Sequence, residues 1–298
     1  MNEQRPGIAG NAYLLLALTA LFWSGNHVVG RAIAGEVPPL GISTLRWLLP
    51  LILLWPFARP HLARDWPVIR SHWMVLLWVG LTGGAIFSAL QYVGLQLTTA
   101  LNVSVINSLT PVVIVAAGAL IFGDRLGRVQ LTGVMISLVG VLVIVARGDP
   151  TTLRDLNFNW GDVIIVFNMA IFGVYSAWLR RVPPLHWMSF LFVVAAVSVL
   201  GTTPFFVWEH LSGFTFQATW LTALAIVYVP IFPSVLGFVF WTRGVALIGA
   251  NRAGPFLHLI PIYSALLASV LLGEALRGFH IVGFVLILLG VWLAARKA

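Results

Sequence analysis

The stretch "SLTPVVIVAAGALIFGDRL", residues 108–126, runs from a polar start through a proline and an unbroken apolar segment to Gly-Asp beside an arginine. The same order returns in "HLIPIYSALLASVLLGEAL", residues 258–276. Sliding the chain against itself by 150 residues pairs Gly94 with Gly244, Ala100 with Ala250 and Pro111 with Pro261. It also pairs Gly123 with Gly273, Asp124 with Glu274, Leu126 with Leu276, and Gly133 and Gly140 with Gly283 and Gly290. Nearer the starts of the two halves, Phe22 meets Phe172 and Arg31 meets Arg181. After a short gap "VPPL" at 37–40 meets "VPPL" at 182–185. Such ungapped pairing of Gly, Pro and acidic positions marks an internal duplication, residues 1–150 and 151–298, that together form one functional unit.

Composition says where the two copies reside. Of 298 residues, 60% are hydrophobic and 9% charged, against about 25% charged in soluble domains. Runs such as "YLLLALTALFWSG" and "IVGFVLILLGVWLAA" carry no charge on any face, which excludes amphipathic helices packed around a soluble core. Stretches of about 18 or more apolar residues read as transmembrane helices. Ten are expected, near 11–33, 39–58, 73–96, 100–122, 128–147, 161–180, 185–208, 219–247, 253–273 and 278–295. The fold class is therefore all-α integral membrane. "ARPHLARDWPVIRSHW" and "RGDPTTLRDLNFNWGD" are the longest expected connections.

The net charge of +8 is spread over short loops without forming a stripe, so a nucleic-acid partner is not expected. The chain has no cysteine, which removes disulfides and zinc-finger spacings. Alternating the loops puts Arg5, Arg59, Arg64, Arg70, Arg125, Arg128, Arg180, Arg181, Arg252, Arg296 and Lys297 on one side. Arg31, Arg147, Arg154 and Arg277 fall on the other. The excess of basic residues places the first side, with both termini, in the cytoplasm. The first segment is read as retained rather than as a cleaved signal peptide, because its apolar run is long and it has an internal counterpart. Five helices per copy is an odd number, so the second copy enters the membrane inverted. Inverted repeats place a substrate site near the midplane and serve alternating access.

Polar groups at membrane depth face a cavity or one another. The first helix offers Trp23, Asn26 and His27 on one face, and the third offers Ser88, Gln91 and Tyr92. The fourth carries Ser104, Asn107 and Ser108; the sixth carries Asn168, Phe172 and Tyr175; the ninth carries His258 and Tyr263. Singly, each is as compatible with bonding between helices as with substrate contact. Together they suggest one polar, aromatic-lined cavity. Pro111 and Pro261 are expected to kink the fourth and ninth helices, for gating or for packing. Gly133, Ser137 and Gly140, with Gly283 and Gly290, form small-residue stripes suited to close helix packing. Asp124 and Glu274 are expected to cap the helix that follows each. Arg46, within the second helix, could bind a substrate carboxylate or snorkel to the interface.

Two five-helix repeats, each with a proline in a fourth helix that ends in "GD" or "GE", resemble the EamA-type exporters of the drug/metabolite transporter superfamily. "FWSGNHVVGR" at 22–31 and "PPLGISTLRWLLP" at 38–50 are similar to that family's opening. The likeness covers nearly the whole chain and is greatest to YddG-type exporters of aromatic amino acids. It implies a small-molecule substrate, amino acid or similar metabolite, carried across the bacterial inner membrane. None of the nine acids is expected mid-helix, so the buried carboxylate that proton-coupled pumps use is missing, and a facilitator or uniporter is expected. The alternatives are a proton-coupled exporter of another metabolite or drug, and a membrane-embedded enzyme. No nucleotide loop or metal motif is present. No catalytic residues, metal or cofactor are expected, and the protein is expected to be a monomer.

Overall fold

The computed structural model describes residues 10–98, 100–125, 127–155, 159–272 and 275–296. In chain order the helices are α1 (Ala12–Ala32), α2 (Pro39–Ser71), α3 (Trp73–Leu97), α4 (Ala100–Asn107), α5 (Thr110–Phe122) and α6 (Arg128–Val145). They continue as α7 (Trp160–Trp178), α8 (Trp187–Leu211), α9 (Trp220–Ile248), α10 (Leu259–Leu272) and α11 (Gly278–Ala295). Among the described residues, eight helices are long and apolar enough to cross a membrane. The outward-turned surface is apolar, with Leu53, Trp160, Leu200 and Val285 all more than half exposed, as lipid contact requires.

The expected second helix stops at residue 58, but α2 runs for 33 residues from Pro39 to Ser71, about 50 Å at 1.5 Å per residue. The segment expected as a connection, "ARPHLARDWPVIRSHW", is thus mostly helix despite its Pro60 and Pro67. Packing against α8 outweighs the local proline penalty. The two helices hold each other's ends. Near the end of α2, Asp65 Oδ2 accepts the His186 N–H at 2.9 Å, just before α8 begins. Near the end of α8, Glu209 Oε2 accepts the Leu40 and Gly41 N–H groups at 3.0 and 2.9 Å, in the first turn of α2. Each carboxylate sits at a helix N-terminus, where free N–H groups and the dipole favour an anion. The reciprocity means the helices run antiparallel.

The expected kink at Pro111 is a break. α4 ends at Asn107 and α5 restarts at Thr110 with Pro111 in its first turn, where a missing N–H is harmless. The carbonyls freed by the break find other donors, as the membrane interior demands. Thr110 Oγ1 donates to Asn107 O at 2.7 Å, and His258 Nε2 lies 2.7 Å from Ser108 O. In the second half the corresponding region is a helical turn, Ala250–Ala253, and a 3₁₀ turn, Gly254–His258, before α10, whose third residue is Pro261. Both α3 and α9 contain a π-helical stretch, Leu81–Ile86 and Pro230–Leu236.

α6 and α11 approach closely along their glycines. A Cβ on Gly133 would lie 2.6 Å from Gly290 O, and a Cβ on Gly140 would lie 2.8 Å from Gly283 O. The crossed pairing, 133 with 290 and 140 with 283, makes these helices antiparallel too. Asp124 does not cap α6 as expected. It binds Arg180 through both oxygens, and Asn251 at 3.2 Å, joining the end of α5 to residues after α7 and before α10. Glu274, its expected counterpart, lies outside the described residues, as does the side chain of Ser104.

Candidate functional site

A cavity of about 400 Å³ lies where α1, α3, α4, α6, α7 and α10 converge, within the range of about 300–1,000 Å³ usual for small-molecule sites. Of the residues expected to line such a site, Trp23, His27, Gln91, Asn107, Ser108, Phe172 and His258 do so, together with Pro261. The cavity adds Phe87, Thr110, Met169 and Ser264, which the sequence reading missed, and the exposed Arg147 at its rim. Met169 could have been found, since it precedes Phe172 by three positions and shares its helix face. Ser264 repeats the face of Leu257 and Pro261 in the same way.

The other expected residues stand behind the wall. Tyr92 donates to Asn26 Oδ1 at 2.9 Å. Ser88 accepts from Trp47 Nε1 at 3.2 Å. Asn168 Nδ2 donates to Gln91 Oε1 at 3.1 Å, which fixes a cavity-lining amide from the rear. Tyr175 is fully buried, its ring lying against Gly83, and Tyr263 is half-buried against the core. None of these six (Asn26, Ser88, Tyr92, Asn168, Tyr175 and Tyr263) lines the cavity, nor does Pro111, which is buried at the start of α5. Period alone could not separate the two roles, because residues one position apart on a helix, such as His27 and Asn26, differ in direction by about 100°.

Several buried polar atoms around the cavity are unsatisfied. Gln91 Nε2 and Asn107 Oδ1 have no hydrogen-bond partner among the described residues, and neither has Asn168 Oδ1. Reversing either amide exchanges nitrogen for oxygen, but the Gln91–Asn168 pair always leaves one donor and one acceptor over. Buried polar atoms are normally paired, so a free donor and acceptor at a cavity point to a ligand that supplies both. Among the described residues no Asp or Glu lines it.

Aromatic rings close the cavity's inner end. Trp23 meets Phe172 edge-on at 5.6 Å and Trp241 at 5.6 Å; Phe172 also contacts Tyr175 at 5.6 Å. Tyr175 reaches Phe238 at 5.4 Å, and Phe238 reaches Trp47 at 5.1 Å. Beyond this layer a second cavity, about 1,250 Å³, is lined by Leu15, Ser176, Phe190, Phe238 and Arg243. Trp23 and Phe172 face the first space and Phe238 the second, so the rings form a partition between two openings.

The EamA-like transporter family profile matches residues 10–146 and again 159–296. The chain is a member of the EamA-like transporter family. It is 29% identical to an uncharacterized transporter of Archaeoglobus fulgidus over 96% of this chain and 97% of that one. It is 26% identical to a Salmonella typhimurium protein named "Probable amino-acid metabolite efflux pump", over 94% and 93% of the two chains. A solved crystal structure shares the fold, with a TM-score of 0.76 and 23% identity over 95% of this chain and 96% of that one. As a member of an EamA-like family, the protein is a multi-pass membrane transporter and not an enzyme.

Proposed function

We propose that the protein exports amino acids, aromatic and other neutral ones, across the inner membrane, moving substrate down its gradient as a monomeric uniporter. The observation that carries this reading is the cavity itself. Its free amide donor and acceptor suit an ammonium and a carboxylate, and its Trp23, Phe87 and Phe172 rings suit an apolar side chain. The relative named for amino-acid metabolite efflux agrees with it.

The architecture we propose is ten transmembrane helices arranged as two inverted five-helix repeats, residues 1–150 and 151–298. α4 with α5, and Ala250–His258 with α10, are the broken fourth and ninth members. Three observations support it. The family profile matches once in each half. The π-helical stretches occupy equivalent positions in α3 and α9. The α6–α11 glycine contacts are reciprocal: shifting Gly133–Gly290 by the repeat gives Gly283–Gly140, the self-complementary pattern of a two-fold axis. Both termini are cytoplasmic, so the cavity rimmed by Arg147 faces outward and the larger one inward. Rocking about the aromatic partition would exchange them. Counterflow of labelled phenylalanine in liposomes holding only this protein tests the reading.

One observation favours a proton-coupled second reading. His258 Nδ1 lies 2.6 Å from Ser137 Oγ, and Ser137 Oγ lies 2.9 Å from Val134 O. A neutral imidazole that donates to Ser108 O must accept at Nδ1, which leaves Val134 O without the serine proton. An imidazolium satisfies all three contacts. Uptake abolished by a protonophore would favour this second reading over the uniporter.

A further inference from the structure

Arg46 lies about two turns into α2 and is buried, 4% exposed. Its burial rules out snorkelling to the interface. Nε donates to Ser234 Oγ at 2.9 Å, and the guanidinium carbon sits 5.7 and 5.9 Å from the Trp47 and Tyr92 ring centroids. Nη1 has no acceptor among the described residues. Among the described residues the ion pairs are Arg64–Asp65 and Arg180–Asp124, so no carboxylate answers Arg46. Trp47 and Tyr92 give the cation aromatic faces, and the Tyr92 hydroxyl, which donates to Asn26, can still accept from the guanidinium, but neither supplies a negative charge and Nη1 stays without a partner. A buried cation without a counter-ion is strongly unfavourable in protein and more so at membrane depth. Such a group persists where its function needs it.

The place of Arg46 gives that function a direction. His27 and Gln91 line the cavity, and their chain neighbours Asn26 and Tyr92 form the network against the guanidinium. His27 is within Coulombic reach of Arg46. The guanidinium thus packs against a network made by the immediate chain neighbours of two residues that line the cavity. At the rim, Arg147 adds a second cation, which raises the local concentration of anions. Arg147 holds a left-handed backbone, φ 54°, uncommon for a residue other than Gly, Asn or Asp.

We propose that Arg46 is the anchor for a carboxylate on the transported molecule, and that the site selects carboxylate-bearing substrates over the same molecules without one. The carboxylate would enter between His27 and Arg46 and take the free Nη1 hydrogen. The substrate's ammonium would be left for the free oxygen of Asn107, which lines the cavity. This rests on the transport reading of the same cavity and narrows its substrate class.

The test is binding calorimetry on the purified full chain in lipid nanodiscs, wild type beside Arg46→Gln and Arg46→Lys. The probes are L-phenylalanine against phenethylamine, and benzoate against benzamide. Wild type should prefer the acid of each pair by about 30-fold or more, the scale of a buried charged hydrogen bond. Arg46→Gln should abolish that preference by weakening the acid, not the phenethylamine, and Arg46→Lys should restore part of it. The ligand-free melting temperature of Arg46→Gln should equal or exceed wild type, because an uncompensated charge has been removed. If wild type binds phenylalanine but shows no acid preference, the anchor is wrong while the transport reading stands. If benzoate binds in an Arg46-dependent way and no amino acid binds, the anchor stands and the amino-acid reading falls. Equal loss of both members of a pair in Arg46→Gln, or no binding of either acid to wild type, overturns the proposal. The Arg46→Lys comparison, and the absence of an acid preference in wild type as the overturning result, keep the proposal refutable even if Arg46→Gln does not fold.

Discussion

Replacing Gly133 by Ala tests the seam between α6 and α11. The added Cβ would stand 2.5 Å from Ala294 N and 2.6 Å from Gly290 O, both backbone atoms, whereas ordinary contact begins at 3.4 Å. Relief requires the helices to part by 0.9 Å (3.4 minus 2.5). Overpacking of this kind costs about 1–3 kcal/mol, and a clash with two backbone atoms belongs at the upper end, about 2–3 kcal/mol. Gly290→Ala should cost the same, since its Cβ would meet Gly133 O at 2.6 Å. The two are not independent, because one widening relieves both. The double variant should therefore fall short of the sum by about 1 kcal/mol or more, as coupled neighbours do. Gly278→Ala, with nothing within 4 Å of the new carbon, should stay within about 0.5 kcal/mol of wild type. Equilibrium unfolding by SDS titration in mixed micelles reads all four variants. Wild-type stability for Gly133→Ala, or full additivity in the double variant, would refute the antiparallel contact and the two-fold relation built on it.

Tyr175→Phe should leave stability unchanged or raise it by up to about 1 kcal/mol, because it removes an unpaired buried hydroxyl, whereas Tyr175→Ala should cost about 3–5 kcal/mol; a transport defect in Tyr175→Phe at full stability would put the hydroxyl on the substrate path. Trp23→Ala should cut phenylalanine uptake more than alanine uptake in liposomes, while Ala at the half-exposed Trp292 changes neither; equal effects on both substrates would remove Trp23 from the side-chain pocket. His186 is held below its ordinary pKa by burial and by the neighbouring His61 and Arg64, and its Nδ1 accepts the Met188 N–H at 3.3 Å. The unfolded chain therefore binds this proton more readily, so the contribution of the joint is complete above about pH 6.5 and is lost as pH falls. Melting temperatures from pH 8 to 5 should drop less in His186→Asn, which keeps a capping side chain; an identical drop would place the titration elsewhere. Asp124→Asn should lower stability by about 1 kcal/mol or less, since the Arg180 partner is 40% exposed and screened, and a larger loss in the same SDS titration would show the joint to be more rigid than its exposure implies.

Helix existence was legible because long uncharged runs have one physical meaning, and the close approach of α6 to α11 was legible because Gly133, Gly140, Gly283 and Gly290 leave room for it. α2 was misjudged at its end for a related reason. Pro56, Pro60 and Pro67 are local stop signals, and what overrides them is contact with α8, along with the Asp65 and Glu209 caps, which join residues more than 120 positions apart. Asp124 looked like a local cap because its neighbour in sequence is a helix start, yet Arg180 and Asn251 claim it. The cavity was legible as a set of helix faces, with Trp23, His27, Gln91, Asn107, Ser108, Phe172 and His258 brought together. The division of neighbours into lining and backing residues was not, since it depends on helix rotation. Arg46 shows the limit most plainly. Its two sequence readings differ only in whether the guanidinium reaches water, and that is a property of packing.

The most direct test of the account is uptake of labelled phenylalanine into liposomes that contain only this protein. The account predicts saturable uptake that equilibrates without a proton gradient, trans-stimulation by unlabelled phenylalanine inside, and a loss of uptake in Arg46→Gln. Folded protein that gives no uptake above empty liposomes across a panel of amino acids would contradict it.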